Sequence, residues 1–562
     1  MVSVKDNIIS ISTATLDAVM INGALVKLTD KSGRVYIDAD ESQAEVIRIV
    51  YRNGETVPVK TTPKGKIYTI PISDTCAVIR YDAWDGNGSI TVTEDRETGD
   101  LCIEPEVTSA RYGVLACRYY LDGITKGHRI VAPIFQGINM ELDDKLIHER
   151  KWGWPHGWEA QLVILQNAGC GFWVHCEDDK YHCKSLTTGA CKSASGLSFD
   201  SETWGPVERS LSAGGVTWRI NVYDGDWQVP AERYRQWLWK TYDLAAEEKK
   251  RKSWVNDVKL GVSWCPSDKA VIDELKNKVD PKKVLLHLPN WRINGYDQCY
   301  PDFTPRENFI EFLEYAAALG FHCMPHSNSV DMDPSMPEYK YLCDFKYRSV
   351  DGGRFLGWGW ENGHAIGVPS SNKALDESRD KLVMVKIHPG LQLWRTLLAE
   401  KIKAALDALK NKTDIIFIDV TLCSYNLDNC LVDNITSIEG MKLLINQVGM
   451  INGGIAVGGE GLNEITMQNQ SFAQAHLFDS HQATAPDLAR CGGCDLNTFL
   501  FGRLCRTIGY SSLSGKDEMQ VLREKIHEEH GAIPTITIGG AKEIAEPNAD
   551  FKRIFDMVNS GK

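Results

Sequence analysis

At 562 residues the chain is longer than one hydrophobic core usually supports, so two or more domains are expected. Hydrophobic residues at 43% and charged residues at 24% are ordinary globular values that exclude collagen-like and disordered architectures. A net charge of −13 argues against a phosphate-tracking surface, and no apolar run reaches the roughly 18 residues of a membrane span.

Nucleic acid and membrane are therefore not expected partners. The N-terminal stretch MVSVKDNIISISTATLDAV lacks the basic start and unbroken apolar core of a secretory signal, so a soluble cytoplasmic protein is the expectation. In that setting the 16 cysteines are expected to be free thiols. Cys170, Cys176, Cys183 and Cys191, interleaved with His175 and His182, match no zinc spacing, and CGGC at 491–494 reads as a glycine turn.

Residues 1–228 are broken by the turn signals RNGE, WDGNG and DGDW, with short β-rich runs such as KIYTIPI, SITVTED, QLVILQ and VTWRINVY between them. Short strands with frequent turns predict a β-sandwich domain. The tryptophans of KWGWPHGW are either exposed platforms for a sugar ring or part of the core. Residues 229–254 have helical spacing and a terminal charge run, which predicts a linker helix.

From residue 255 the grain changes to alternating strand and helix. DVKLGVSWC, KKVLLHLP, FHCMPHSNSV, DIIFIDV and GGIAVGGEG are each followed by a helical segment. Repeated βα units of this kind predict a (β/α)8 barrel over 255–562. IPTITI at 533–538 is the expected eighth strand and NADFKRIFDMVNS the eighth helix. No glycine-rich phosphate loop follows the first strand, which speaks against a nucleotide-binding sheet.

A barrel of this kind places its chemistry at the carboxyl ends of the strands. The polar residues there are Trp264 after strand 1, Asn290 and Trp291 after strand 2, His326 and Asn328 after strand 3, Asp419 after strand 4 and Glu460 after strand 5. Asp419 closes the apolar run Ile415–Ile418, and its alternative reading is a helix cap or ion-pair partner. Glu460 lies among glycines that permit close approach of a ligand or equally mark a plain turn, with Glu464 as its rival. Two carboxylates on neighbouring strand ends suit a glycosidase, Asp419 as nucleophile and Glu460 as acid/base, the latter needing its proton held by burial or by its charged neighbour.

Asp297 and Asp331 are further acids on long loops. The excursion 327–390 predicts a functional lid, in which Trp358, Trp360, Glu361 and His364 could seat a pyranose or simply pack. His287 reads as a core histidine and His388 as a helix-start residue. The acids and histidines show no close two-residue metal motif, so neither a metal nor another cofactor is expected.

A β-sandwich, a linker helix and a barrel with IIFIDVT as its fourth strand resemble bacterial barrel proteins related to endo-α-N-acetylgalactosaminidases and, more distantly, to α-galactosidases. The hairpin GFWVHCEDDKYHCKSL is similar to theirs, in which an acid near Asp178 or Asp179 faces the barrel mouth. The resemblance implies a nucleophile at Asp419 and an acid/base at Glu460; the α-galactosidase branch would instead use an aspartate after strand 6, Asp479 being nearest. It implies a retaining α-glycosidase, exo-acting on small galactose- or N-acetylgalactosamine-like glycosides. An inverting enzyme with the same carboxylates, and a non-catalytic carbohydrate-binding protein, stand as alternatives; whether the chain forms a homo-oligomer is left open.

Overall fold

The computed structural model describes the chain except for residues 43, 45, 60–65, 83–85, 190–194, 351–356, 362–363, 369–382, 476–491, 510–512, 514–519 and 561–562, and except for the side chains of 360–361 and 364–368. It divides into two compact units: Met1–Thr241 with Tyr425–Cys430, and Tyr242–Ser424 with Leu431–Lys562.

Among the described residues the first unit is built from three antiparallel sheets of five, ten and six strands. Their strands alternate in burial, as in Gly86–Glu94, where Gly88, Ile90 and Val92 are buried and the residues between them face outward. Phe199 of the six-stranded sheet lies 4.8 Å, ring centre to ring centre, from Trp218 of the ten-stranded one, so the two sheets share a core as a sandwich does. Trp158 stacks at 6.3 Å on the same Trp218.

The tryptophans of KWGWPHGW are thus core residues and not sugar platforms: Trp152, Trp154 and Trp158 are all buried. Asp178 of the following hairpin is engaged by Lys184 Nζ and by His182 Nδ1, each at 2.8 Å. The segment read as one linker helix is two, Gln228–Thr241 and Leu244–Lys250, broken at Asp243, whose φ is +49°.

The second unit carries eight parallel strands: β1 (Leu260–Ser263), β2 (Val284–Leu288), β3 (His322–Asn328), β4 (Ile415–Asp419), β5 (Ala456–Glu460), β6 (Phe472–Ala475), β7 (Arg506–Gly509) and β8 (Thr535–Thr537). They pair in chain order from β1 to β7, with β8 beside β1, and a parallel bridge between Ile508 and Ile533 brings the two ends of the sheet together. Helices such as Lys269–Lys278, Glu307–Leu319, Gln392–Ala408 and Ser437–Gly449 bury apolar stripes against the outer wall; the first is capped by Asp268, which accepts from Ala270 N at 2.9 Å.

One buried cluster fills the inside of this ring: Leu285, Met324, Ile415, Phe417, Ala456, Phe472 and Ile508, plugged from below by Val255 and Val258. Since side chains alternate along a strand, the residues two steps further on, His287, His326, Asp419, Gly458 with Glu460, and Gln474, also point inward at the carboxyl rim. The excursion read as a lid includes a small antiparallel sheet of Asp331–Met332, Val383–Lys386, Gly357–Glu361 and His364–Val368.

Candidate active site

Asp419 is the last residue of β4, and Glu460 the last of β5. The two strands run in register up to the pair Ile418 and Gly459, so the acids stand side by side one step beyond it. Neighbouring strands are about 4.8 Å apart, which starts both side chains at that separation. Both are largely buried, each 9% exposed.

Val420 follows Asp419 with a φ of +64°, a left-handed conformation that costs a β-branched residue energy and that clusters at functional sites. The turn aims the Val420 N–H at Glu460 Oε2, 3.1 Å away, and the same N–H helps hold the Asp419 carboxylate. Gly461, at φ +76°, takes the chain away from the rim where a side chain would strike Leu422. Burial pushes the Asp419 carboxyl well above the usual carboxylate range, and Glu460, Asp297 and Asp331 push it the same way.

Asp297, at φ +56° on the loop after β2, comes to the same point. Asp297, His326 and Asp419 each bring one donor atom within 4.8 Å of the others, a group that could hold a cation. These residues come from three separate segments, so the spacing argument against a metal did not reach them.

Asp331 is buried beside this group and held from three sides. Lys386 Nζ lies 2.7 Å from Oδ1, while Trp358 Nε1 and Asn328 Nδ2 donate to Oδ2 at 2.7 and 3.0 Å. Removing one partner of a buried ion pair strands the other charge, so Lys386→Met is expected to cost about 3–5 kcal/mol in urea unfolding. Adding Asp331→Asn should recover most of that loss; a Lys386→Met variant as stable as the parent would mean that the pair is not closed.

The predicted residues fall into three sets. Asp419, Glu460, His326 and Asn328 are brought to the rim, and Trp264, half-buried with φ +54°, stands over it with its ring 4.8 Å from that of Tyr296. Trp358 joins through Asp331. Asn290 is exposed and offers its backbone carbonyl to Arg306; Trp291 is buried against Phe303 and Phe309, its Nε1 donating to the His326 carbonyl at 2.7 Å, and so positions β3 from behind. Glu464 is fully buried in the connection after β5. The side chains of Trp360, Glu361 and His364, and all of Asp479, lie outside the described residues.

Sequence reasoning missed Lys386, Tyr296 and the pair Ser263 and Gln474, whose Nε2 donates across the barrel to Ser263 Oγ at 3.1 Å. Lys386 had a signal, since VMVK repeats the pattern of an apolar strand closed by a charge. Tyr296 had none.

A family model described as a domain of unknown function, DUF6259, matches residues 216–434, a range that includes β1 to β4 and Asp419 and ends before β5. No sequence among curated proteins matches the chain. Among solved structures, the α-N-acetylgalactosaminidase NagBb from Bifidobacterium bifidum, in complex with Gal-NHAc-DNJ, superposes with a TM-score of 0.67 at 12% identity, over 100% of this chain and 92% of that one. Its ligand-free form gives 0.66 at 12% identity, covering 100% and 93%. The α-galactosidase AgaB from Geobacillus stearothermophilus gives 0.50 at 9% identity, covering 100% and 86%. The likeness extends over both units and establishes the fold, a strand-rich sandwich followed by a parallel eight-stranded barrel.

Proposed function

We propose that the protein is an α-glycosidase of the retaining type, acting on α-linked galactose- or N-acetylgalactosamine-like sugars, with Asp419 as nucleophile and Glu460 as acid/base. The observation that carries the reading is the pair of acids at one level on neighbouring strand ends, inside the rim where barrel enzymes work. Retaining glycosidases need their carboxyl groups about 5 Å apart, the spacing of adjacent strands, whereas inverting ones need about 6.5–9.5 Å to admit a water. The fold shared with an α-N-acetylgalactosaminidase supports the choice of sugar class.

In the first step the Asp419 oxygen attacks the anomeric carbon from the face opposite the aglycone. The bond to the aglycone oxygen breaks, its electron pair stays on that oxygen, and the Glu460 proton goes there. Glu460, now a carboxylate, takes a proton from water, whose oxygen displaces Asp419. Two inversions return the α configuration. The Val420 N–H beside Glu460 Oε2 stabilises Glu460 in its carboxylate form, the form that activates water. Trp264 and Tyr296 offer ring faces to the sugar, and Asp297 an acceptor for its hydroxyls.

A panel of nitrophenyl α- and β-glycosides, with NMR of the first-formed product, tests this. Hydrolysis of an α-galactoside or α-N-acetylgalactosaminide with the α-anomer released first is the expected result. A β-anomer released first would make the enzyme inverting, and no hydrolysis of any member would favour a binding protein.

A further inference from the structure

The barrel holds two imidazoles that this chemistry does not use. His287 on β2 and His326 on β3 are both buried, with His287 Nε2 3.1 Å from His326 Nδ1. His326 Nε2 in turn faces Asp419 Oδ2 at 3.6 Å. Among the described residues, His287 Nδ1 and His326 Nε2 have no hydrogen-bond partner. The rings cannot turn away easily: both pack on Phe417, with centres at 4.8 and 5.2 Å, and Trp264 and Tyr296 close the other sides.

Burial keeps both rings neutral, lowering His287 to about 3 and His326 well below its ordinary value, so each carries one N–H. The 3.1 Å contact admits one proton, which leaves two arrangements. If His326 Nδ1 donates, the His287 Nδ1–H is a buried donor with no acceptor, and the lone pair of His326 Nε2 faces the Asp419 carboxylate. If His287 Nε2 donates, the unmatched atom is only a bare acceptor nitrogen, and His326 turns an N–H toward Asp419. The second arrangement wins on both counts whenever Asp419 is charged.

We propose that His287 and His326 are a tautomer-fixing pair, His287 donating to His326 so that His326 Nε2–H is held toward Oδ2 of Asp419 and orients the attacking carboxylate. The inference rests on the reading of Asp419 as nucleophile. At 3.6 Å the contact is longer than a hydrogen bond by roughly 0.5 Å, a gap of the kind that closes in a substrate complex. Together with the Val420 N–H, this N–H offsets the acids crowding Asp419, namely Glu460, Asp297 and Asp331, whereas Lys386 is already engaged with Asp331. His287 and His326 are positioning residues, the former acting only through the latter.

The test uses the full chain, an aryl glycoside that it hydrolyses, and the variants His287→Leu, His287→Gln and His326→Gln. His287→Leu should lower kcat about 10- to 100-fold with KM within about twofold, the size usual for a lost outer-shell partner. It should also move the acid limb of the kcat/KM profile to higher pH, because the Asp419 carboxylate loses a donor. His287→Gln, whose amide N–H can still donate, should restore most of both, and His326→Gln should keep part of the rate for the same reason. An unmoved acid limb in His287→Leu, or a His287→Gln variant as impaired as His287→Leu, would overturn the pair. Activity restored by a divalent cation after chelation, with that rescue lost or needing far more cation in His326→Gln, would show that Nε2 is a ligand carrying no proton, and would overturn it too. Trapping with a 5-fluoroglycosyl fluoride separates the two readings: a label on another residue sinks both, whereas a label on Asp419 with indifferent His287 variants sinks the pair alone.

Discussion

Asp419→Asn is expected to lower kcat about 10⁴-fold or more and, at neutral pH, to raise the melting temperature. On the proposed mechanism the first effect follows from removing the attacking oxygen. The second follows from what surrounds it: burial and three nearby acids, Glu460, Asp297 and Asp331, hold the Asp419 carboxyl well above its ordinary range. Between the unfolded value near ~3.9 and the raised folded one, the native state keeps a proton that the unfolded chain has released, so stability falls as pH rises through that window. Asparagine has no charge to develop and escapes the loss. The variant's advantage should therefore be greatest near neutral pH, about 1–1.5 °C for each kcal/mol recovered in a unit of this size, and should fade below about pH 4. Melts of both proteins across that pH range check it. A variant that loses activity yet melts with the parent at every pH would mean that Asp419 is not held among like charges, and the paired-acid site would fall with it. Function here is kept at the expense of stability, as is common where acids converge.

How much of this was legible depended on whether a feature was local. The apolar run Ile415–Ile418 announces a strand covered on both faces, and the acid that closes it marks the rim position; both signals sit within five residues. β6 and β7 gave no such signal, because FAQA and RTIG are four residues each and mix polar with apolar positions, so the chain between β5 and β8 reads as irregular helix. KWGWPHGW shows an aromatic cluster but not which way it faces, since burial of Trp154 and Trp158 is decided by strands far away in sequence.

The same limit applies to the site. Asp297 and Asp331 were recognisable as acids on long loops, yet their convergence on Asp419 depends on three separate segments meeting. His287 is buried as expected of a core histidine but its Nδ1 is unsatisfied among the described residues, and only its neighbour from the next strand gives its proton a direction. The grouping of Tyr425–Cys430 with the first unit has no compositional mark at all in YNLDNC; there Asn426 Nδ2 donates to Glu202 and to the Thr203 carbonyl, at 3.1 and 3.0 Å.

Glu460→Ala should separate the two chemical steps. With an activated aryl aglycone, departure needs little proton donation, so formation of the glycosyl-enzyme should stay fast and kcat/KM should fall only slightly. Hydrolysis of that intermediate needs a base, and its loss should lower kcat about 10²–10⁴-fold and produce a burst of released phenol. With an alkyl or sugar aglycone the first step also needs the acid, and kcat/KM should fall by a comparable factor. Azide needs no base, so it should speed turnover of the aryl substrate. Its nitrogen would enter from the face opposite the Asp419 ester, which requires the glycosyl azide to have the α configuration. A β-azide would place its attack opposite the aglycone in a single displacement, with Glu460 in some other role. Equal losses of kcat/KM for aryl and alkyl substrates, without a burst or azide rescue, would remove Glu460 from proton transfer altogether. In that case the Val420 N–H at 3.1 Å would be holding a structural carboxylate.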